Sequence, residues 1–195
     1  MAAVGVLAYQ GGFSKHLEQF SRLKVDARPV RDLDALEGVG ALVIPGGEST
    51  TIGMLMERFG LLEAIRERIA GGFPVFGTCA GAILLATEIE SFGQRRIGVI
   101  DMTVRRNAYG RQVESFEADV VPVAHGDWRN GPFHGVFIRA PQILRTGSSV
   151  HEILVFEGTP VLVRSGNLLA GTFHPELTDD TRIHRYFLDA VVATA

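Results

Sequence analysis

One cysteine, Cys79, occurs in the whole chain, inside the stretch Gly77-Thr78-Cys79-Ala80-Gly81. G-x-C-x-G is the thiol counterpart of the G-x-S-x-G nucleophile elbow, in which a strand enters a tight turn and leaves as a helix. Backbone N–H groups and the helix dipole at such a turn favour a thiolate. Free cysteine is also a common inert filler of cores, so these five residues alone leave the two readings about even. A thiol nucleophile needs a base, and the base needs an orienting group. Phe173-His174-Pro175-Glu176 offers both. Pro175 biases His174 toward extended backbone, where residues i and i+2 face the same side and Glu176 reaches the imidazole. None of the other five histidines has a carboxylate at i+2 across a proline at the end of an apolar strand.

Acyl transfer also needs donors for the oxyanion. The N–H of Ala80, next after the nucleophile, is the expected one. A second donor should come from another glycine-rich loop at a strand end, and "PGGEST" (45–50) is the best candidate. A plain turn with a helix N-cap would call for glycine at one position there, not at two after a proline.

The elements that must hold these residues alternate. "VGVLAY" (4–9), "ALVIPGG" (41–47) and "FPVFG" (73–77) are short apolar runs closed by glycine or proline, which is the pattern of buried strands. Between them, "SKHLEQFSRL" carries Leu17, Phe20 and Leu23 at helical spacing, and "ESTTIGMLMERFG" and "LLEAIRERIAGG" form a helix pair. The second half is strand-rich, with a hairpin expected around "GTP" (158–160). It ends in an amphipathic helix capped by Thr178 or Asp179, with Ile183, Phe187, Leu188 and Val191 on one face. The expected fold is α/β: an open, mostly parallel sheet flanked by helices, with additional antiparallel strands in the second half. No repeat or linker divides residues 1–195, so a single domain is expected.

Composition narrows the function classes. The chain has 195 residues, 46% hydrophobic and 21% charged, with a formal net charge of -3. That charge disfavours nucleic acid or an anionic membrane as partner. One cysteine excludes an internal disulfide and suits a cytoplasmic location. The N-terminus lacks the basic region of a signal peptide, and the uncharged run from Gly71 to Thr87 is short for a membrane span. The histidines show no metal spacing; "HEILV" (151–155) fails as a metalloprotease motif because position 155 is Val.

"PGGEST", "GTCAG" and "FHPEL" together resemble the class I, or triad, glutamine amidotransferases. "GVLAYQG", "IPGGESTTI", "GTCAGAILLA", "VRRNAYGRQVESFEADV", "VFIRAP" and "FHPELTDDTRIHRYF" are more closely similar to one family among them, the glutaminase subunits of pyridoxal 5'-phosphate synthase. The resemblance covers nearly the whole chain in order. It implies hydrolysis of L-glutamine by Cys79, His174 and Glu176, with no cofactor and no metal. It assigns glutamine binding to Gly47, Glu48, Ser49, Arg106, Ile138 and Arg139, and the oxyanion hole to Gly47 and Ala80. Gln10 matches a residue near the active site and the partner interface. The implied partner is a synthase subunit whose ring carries glutaminase subunits on its outside and builds pyridoxal phosphate from ribose 5-phosphate and glyceraldehyde 3-phosphate. Three features depart from the family's usual pattern: Arg105, Tyr9, and a long segment 123–134 expected to be a surface loop. A glutaminase of another synthase, such as the histidine-pathway one, would share the triad but not "RNAYGRQVESFE". A cysteine peptidase of related fold, or a non-enzymatic thiol-bearing binding or redox protein, are the remaining alternatives.

Overall fold

The computed structural model describes residues 2–108, 115–124 and 128–193. Four short apolar runs become its most buried strands: β1 (Val4–Leu7), β3 (Ala41–Ile44), β4 (Val75–Thr78) and β12 (Leu168–Gly171), buried at every position. Burial on both faces is why these runs are continuously apolar rather than alternating. Together with β2 (Ala27–Val30) they form the parallel half of a nine-stranded sheet, in the order β2-β1-β3-β4-β12.

The other half is antiparallel and continues in the same sheet. It runs from β12 through β11 (Thr159–Ser165), β10 (His151–Phe156) and β7 (Ser115–Pro122) to β8 (Phe133–Ile138). A separate three-stranded sheet pairs β5 (Ala86–Ile89), β6 (Ile100–Arg105) and β9 (Gln142–Thr146). The expected fold class is therefore the observed one.

Helices cover both faces. α2 (Leu33–Glu37), α3 (Ser49–Arg58), α4 (Leu61–Ala70) and α5 (Ala80–Leu85) share one apolar cluster, with Leu36, Ile52, Met56, Ile65 and Leu84 packed on Leu42, Ile44 and Val75. α1 (Phe13–Arg22) and α6 (Arg182–Tyr186) lie in the other, where Phe20, Ile183 and Phe187 meet Val4, Val43 and Phe76. Successive strand residues serve opposite faces, as the pleat requires.

Four local expectations change. Around α1, Phe20 is buried as expected and Leu17 and Leu23 pack partly buried against the same cluster, but His16 and Gln19 are buried too, so the inward face is wider than expected and carries polar groups. The β10–β11 turn is Glu157-Gly158, both at positive φ (48° and 75°), while Thr159 and Pro160 already belong to β11. This is the primed turn geometry that matches strand twist. The last helix starts at Arg182 rather than after Thr178, because Pro175–Leu177 forms a separate 3₁₀ turn. The Asp180 carboxylate instead accepts from the Arg182 N–H at 3.0 Å, and π-helical backbone continues over Phe187–Val192. The segment 123–134 is not simply a surface loop. Trp128 is buried against Tyr186, its ring N–H donates to the Gly131 carbonyl at 2.7 Å, and Arg182 binds the carbonyls of Asn130 and Pro132. Residues 125–127 of that segment, and 109–114 of "RNAYGRQVESFE", lie outside the described residues.

Candidate functional site

Parallel strands end on the same edge of a sheet, and ligands of open α/β folds gather there. β3 ends at Ile44, β4 at Thr78 and β12 at Gly171, side by side in the register Ile44↔Gly77 and Gly171↔Thr78. The residues that follow each strand therefore converge: Gly46 and Gly47 after β3, Cys79 after β4, and His174 with Glu176 after β12. The Cys79 N–H donates to the Gly171 carbonyl at 2.8 Å, which ties the cysteine turn to the strand carrying the histidine.

Cys79 adopts φ 49°, ψ -101° and caps α5, so the elbow expected from G-x-C-x-G is present. Its glycines are required by packing within the fold. A Cβ on Gly81 would lie 2.0 Å from the Ile44 carbonyl oxygen, and one on Gly77 would lie 2.5 Å from the Gly81 carbonyl carbon. Gly46 is needed for the site itself, since a Cβ there would stand 2.4 Å from the His174 ring and 3.3 Å from the Cys79 Cβ.

Glu176 is fully buried, and its Oε1 accepts from His174 Nδ1 at 2.8 Å. The 3₁₀ turn that begins at Pro175 brings the carboxylate under the ring, instead of the extended i+2 arrangement expected from sequence. The His174 N–H is fixed to the Val136 carbonyl at 2.8 Å. Burial lowers the His174 pKa, but hydrogen bonds to Cys79 and Glu176 and their charges outweigh it and raise it to about 10. At neutral pH the imidazolium is thus the favoured form. Burial also disfavours ionised Glu176, yet contacts with His16 and His174 keep its pKa below the ordinary 4.5.

These groups border a cavity of about 350 Å³. Every catalytic and glutamine-binding residue expected from sequence lines it: Cys79, Ala80, His174 and Glu176 on one side, Gly47, Glu48, Ser49, Arg106, Ile138 and Arg139 around the rest. The Ile138 carbonyl lies 3.9 Å from Cys79 Sγ. Arg106 sits over the Phe92 ring at 4.4 Å and pairs with Glu48 at 3.1 Å. Burial acts to raise the Glu48 pKa, but hydrogen bonds from Thr50 and Thr51 prevail and hold it at about 2. Glu48 also caps α3 through the Thr51 N–H. Gln10 is outside the cavity lining. Its amide donates to the Glu48 carbonyl at 3.0 Å and so supports the glycine loop from behind.

Sequence reasoning missed Gln94, Asn107 and His16. Gln94 Oε1 accepts from both Ser49 Oγ and Arg106, each at 3.1 Å, and so joins two walls of the cavity. Asn107 lines the cavity. Gln94 stands in no recognisable motif; Asn107 adjoins Arg106, and its φ of 48° marks a tight turn that brings it in. Among the described residues no cluster of His, Cys, Asp and Glu could hold a metal ion, and no helix is long and apolar enough to cross a membrane.

The model of the SNO glutamine amidotransferase family matches residues 6–193. The chain is 54% identical over 188 residues to the pyridoxal 5'-phosphate synthase subunit PdxT of Thermus thermophilus, covering 95% of this chain and 96% of that one. It is 50% identical to the PdxT subunit of a Thermotoga species, over 96% and 98% of the two chains. A solved glutamine amidotransferase superposes with TM-score 0.91 at 50% identity, covering 97% of this chain and 98% of that one. Another glutamine amidotransferase, from Thermotoga maritima and only 14% identical, shares the fold at TM-score 0.62 over 95% and 82% of the chains. With the family model matched almost from end to end, the chain belongs to the SNO glutamine amidotransferase family.

Proposed function

We propose that this protein hydrolyses L-glutamine to L-glutamate and ammonia, and passes the ammonia to a pyridoxal 5'-phosphate synthase subunit. The observation that carries this is the convergence of Cys79, His174 and Glu176 on one cavity with a glycine loop and Arg106. The relatives' name, at half identity or more over nearly the full length, supplies the partner. Residues 1–195 act as a single glutaminase domain in this reading.

The chemistry follows from the placements. The Cys79 thiolate, paired with the His174 imidazolium, attacks the carboxamide carbon, and the Ala80 and Gly47 N–H groups receive the oxyanion. His174 gives its proton to the leaving nitrogen, the C–N bond breaks, and ammonia departs from a glutamyl thioester. Water then attacks the thioester while His174 takes its proton; the C–S bond breaks and the thiolate–imidazolium pair is restored. At the other end of glutamine, Arg106 binds the α-carboxylate with paired hydrogen bonds and ionised Glu48 faces the α-ammonium. Ser49, Ile138 and Arg139 complete the wall, and Gln10 supports the loop at the partner-facing side.

Free ammonia in neutral water is mostly ammonium and no longer nucleophilic, so its release is useful only beside an acceptor site. A lone thiol nucleophile also suits a reducing compartment, the cytoplasm. The test mixes the chain with its cognate synthase subunit, ribose 5-phosphate and glyceraldehyde 3-phosphate. Glutamine should support pyridoxal phosphate formation by the wild-type complex. The Cys79→Ala complex should lose at least about 10³-fold with glutamine but keep activity with ammonium salts. Unimpaired use of glutamine by Cys79→Ala would contradict the assignment.

A further inference from the structure

Two histidines that the mechanism does not use, His16 on α1 and His184 on α6, are fully buried beneath Glu176. They form a chain of contacts. His16 Nε2 lies 3.1 Å from Thr78 Oγ1 and 3.4 Å from Glu176 Oε2, and His16 Nδ1 lies 2.8 Å from His184 Nε2. Beyond the 3.4 Å approach of His16 Nε2, Glu176 Oε2 has no hydrogen-bond partner among the described residues, and His184 Nδ1 has none.

Hydrogen accounting selects one arrangement of protons. A bare Nε2 lone pair on His16 would face a carboxylate oxygen, so that nitrogen carries the hydrogen and shares it between Thr78 and Glu176. The neutral ring then presents Nδ1 as an acceptor, and His184 Nε2–H fills it. This leaves His184 Nδ1 as a bare acceptor, which costs less than a buried N–H without an acceptor. Charging His16 would force the His184 proton onto Nδ1, where it meets nothing. The titratable groups facing His16 are Glu176, His174 and His184. Burial lowers the pKa of both buried rings, only partly opposed at His16 by Glu176, so both are neutral at pH 7.

We propose that His16 is a positioning residue: as the neutral Nε2–H tautomer it holds the buried Glu176 carboxylate toward His174, and His184 dictates that tautomer. The proposal rests on the triad assignment. Without the His16 N–H, the Glu176 oxygen keeps no donor on that side, and the imidazolium it supports weakens.

The test follows alkylation of the Cys79 peptide by iodoacetamide against pH in the full-length chain. His16→Leu should move the acid limb of the profile up by about one pH unit, and His16→Gln, which keeps a side-chain N–H, should restore most of it. In the complex with the synthase subunit, His16→Leu should lower kcat about tenfold with KM unchanged. Nitrogen-15 shifts of the wild-type chain should show both rings as neutral Nε2–H tautomers. A folded His16→Leu with the wild-type limb, or a His16 protonated at Nδ1, overturns the proposal even if the leucine variant proves insoluble. If Glu176→Gln also leaves the limb unmoved, the triad assignment fails as well; a limb that moves for Glu176→Gln and not for His16→Leu sinks this proposal alone.

Discussion

Cys79 has a side chain at φ 49°, where L-residues are strained, and a strained backbone of this kind persists only when its surroundings enforce it. Those surroundings are the Gly171 carbonyl and the Gly81–Ile44 contact, and together they point the thiol at His174. Glu176 does for the histidine what the elbow does for the cysteine: it fixes which ring nitrogen faces the thiol. Glu176→Gln keeps the shape and removes the charge, so kcat should fall about 10³-fold or more with KM little changed, measured as glutaminase activity of the complex. Activity within a few-fold of wild type would show that the carboxylate has no part in the reaction. Cys79, His174 and Glu176, the proposed triad, could be singled out from the sequence because each sits in a short motif whose chemistry depends on near neighbours. Gln94 and His16 could not: neither stands in a motif, and Gln94 links Ser49, 45 positions before it, to Arg106, 12 positions after it, while His16 meets Thr78 across 62 positions.

At the scale of elements, the parallel strands could be read because double-sided burial writes an uninterrupted apolar run. Their order could not. β12 inserts beside β4 across a separation of more than ninety residues, and that single pairing brings the histidine to the cysteine. The π-helical end of the last helix left no sign in the sequence, and the helix start shifts from its expected place because Thr178 hydrogen-bonds back to the Pro175 carbonyl within the preceding turn. The β4–α5 elbow offers a sharp test of packing. Gly81→Ala should destabilise the chain by about 2 kcal/mol or more in urea unfolding, as its Cβ would meet backbone with nowhere to move. Gly93→Ala meets nothing within 4 Å and should stay within about 0.5 kcal/mol of wild type. Equal midpoints for the two variants would contradict the close approach.

For the molecule as a whole, the buried ionisable groups set how stability responds to pH. His16 and His184 have folded pKa values below the ordinary 6.5, so their contribution is complete above about pH 6.5 and is lost as pH falls toward the folded values. Glu176, lowered from 4.5, adds a loss at still lower pH. His174, raised to about 10, works the other way: its contribution is complete below about pH 6.5 and disappears as pH rises toward 10. Thermal midpoints should therefore be highest near neutrality and fall on both sides. His184→Gln, which keeps a donor to His16, should flatten the decline between pH 6.5 and 5; an unchanged slope would mean the ring is charged in the folded state.

The most direct measurement is covalent labelling of the synthase-bound chain by a diazo-ketone analogue of glutamine, with the adduct mapped by peptide mass spectrometry. Such a reagent needs a thiolate, a proton donor and a pocket that accepts glutamine, all at one place. The expected result is a single adduct on Cys79, protected by excess glutamine and reduced at least about 100-fold in rate by His174→Ala. An adduct elsewhere, or labelling of Cys79 that neither glutamine nor His174→Ala diminishes, would contradict a glutamine-cleaving thiol at this site.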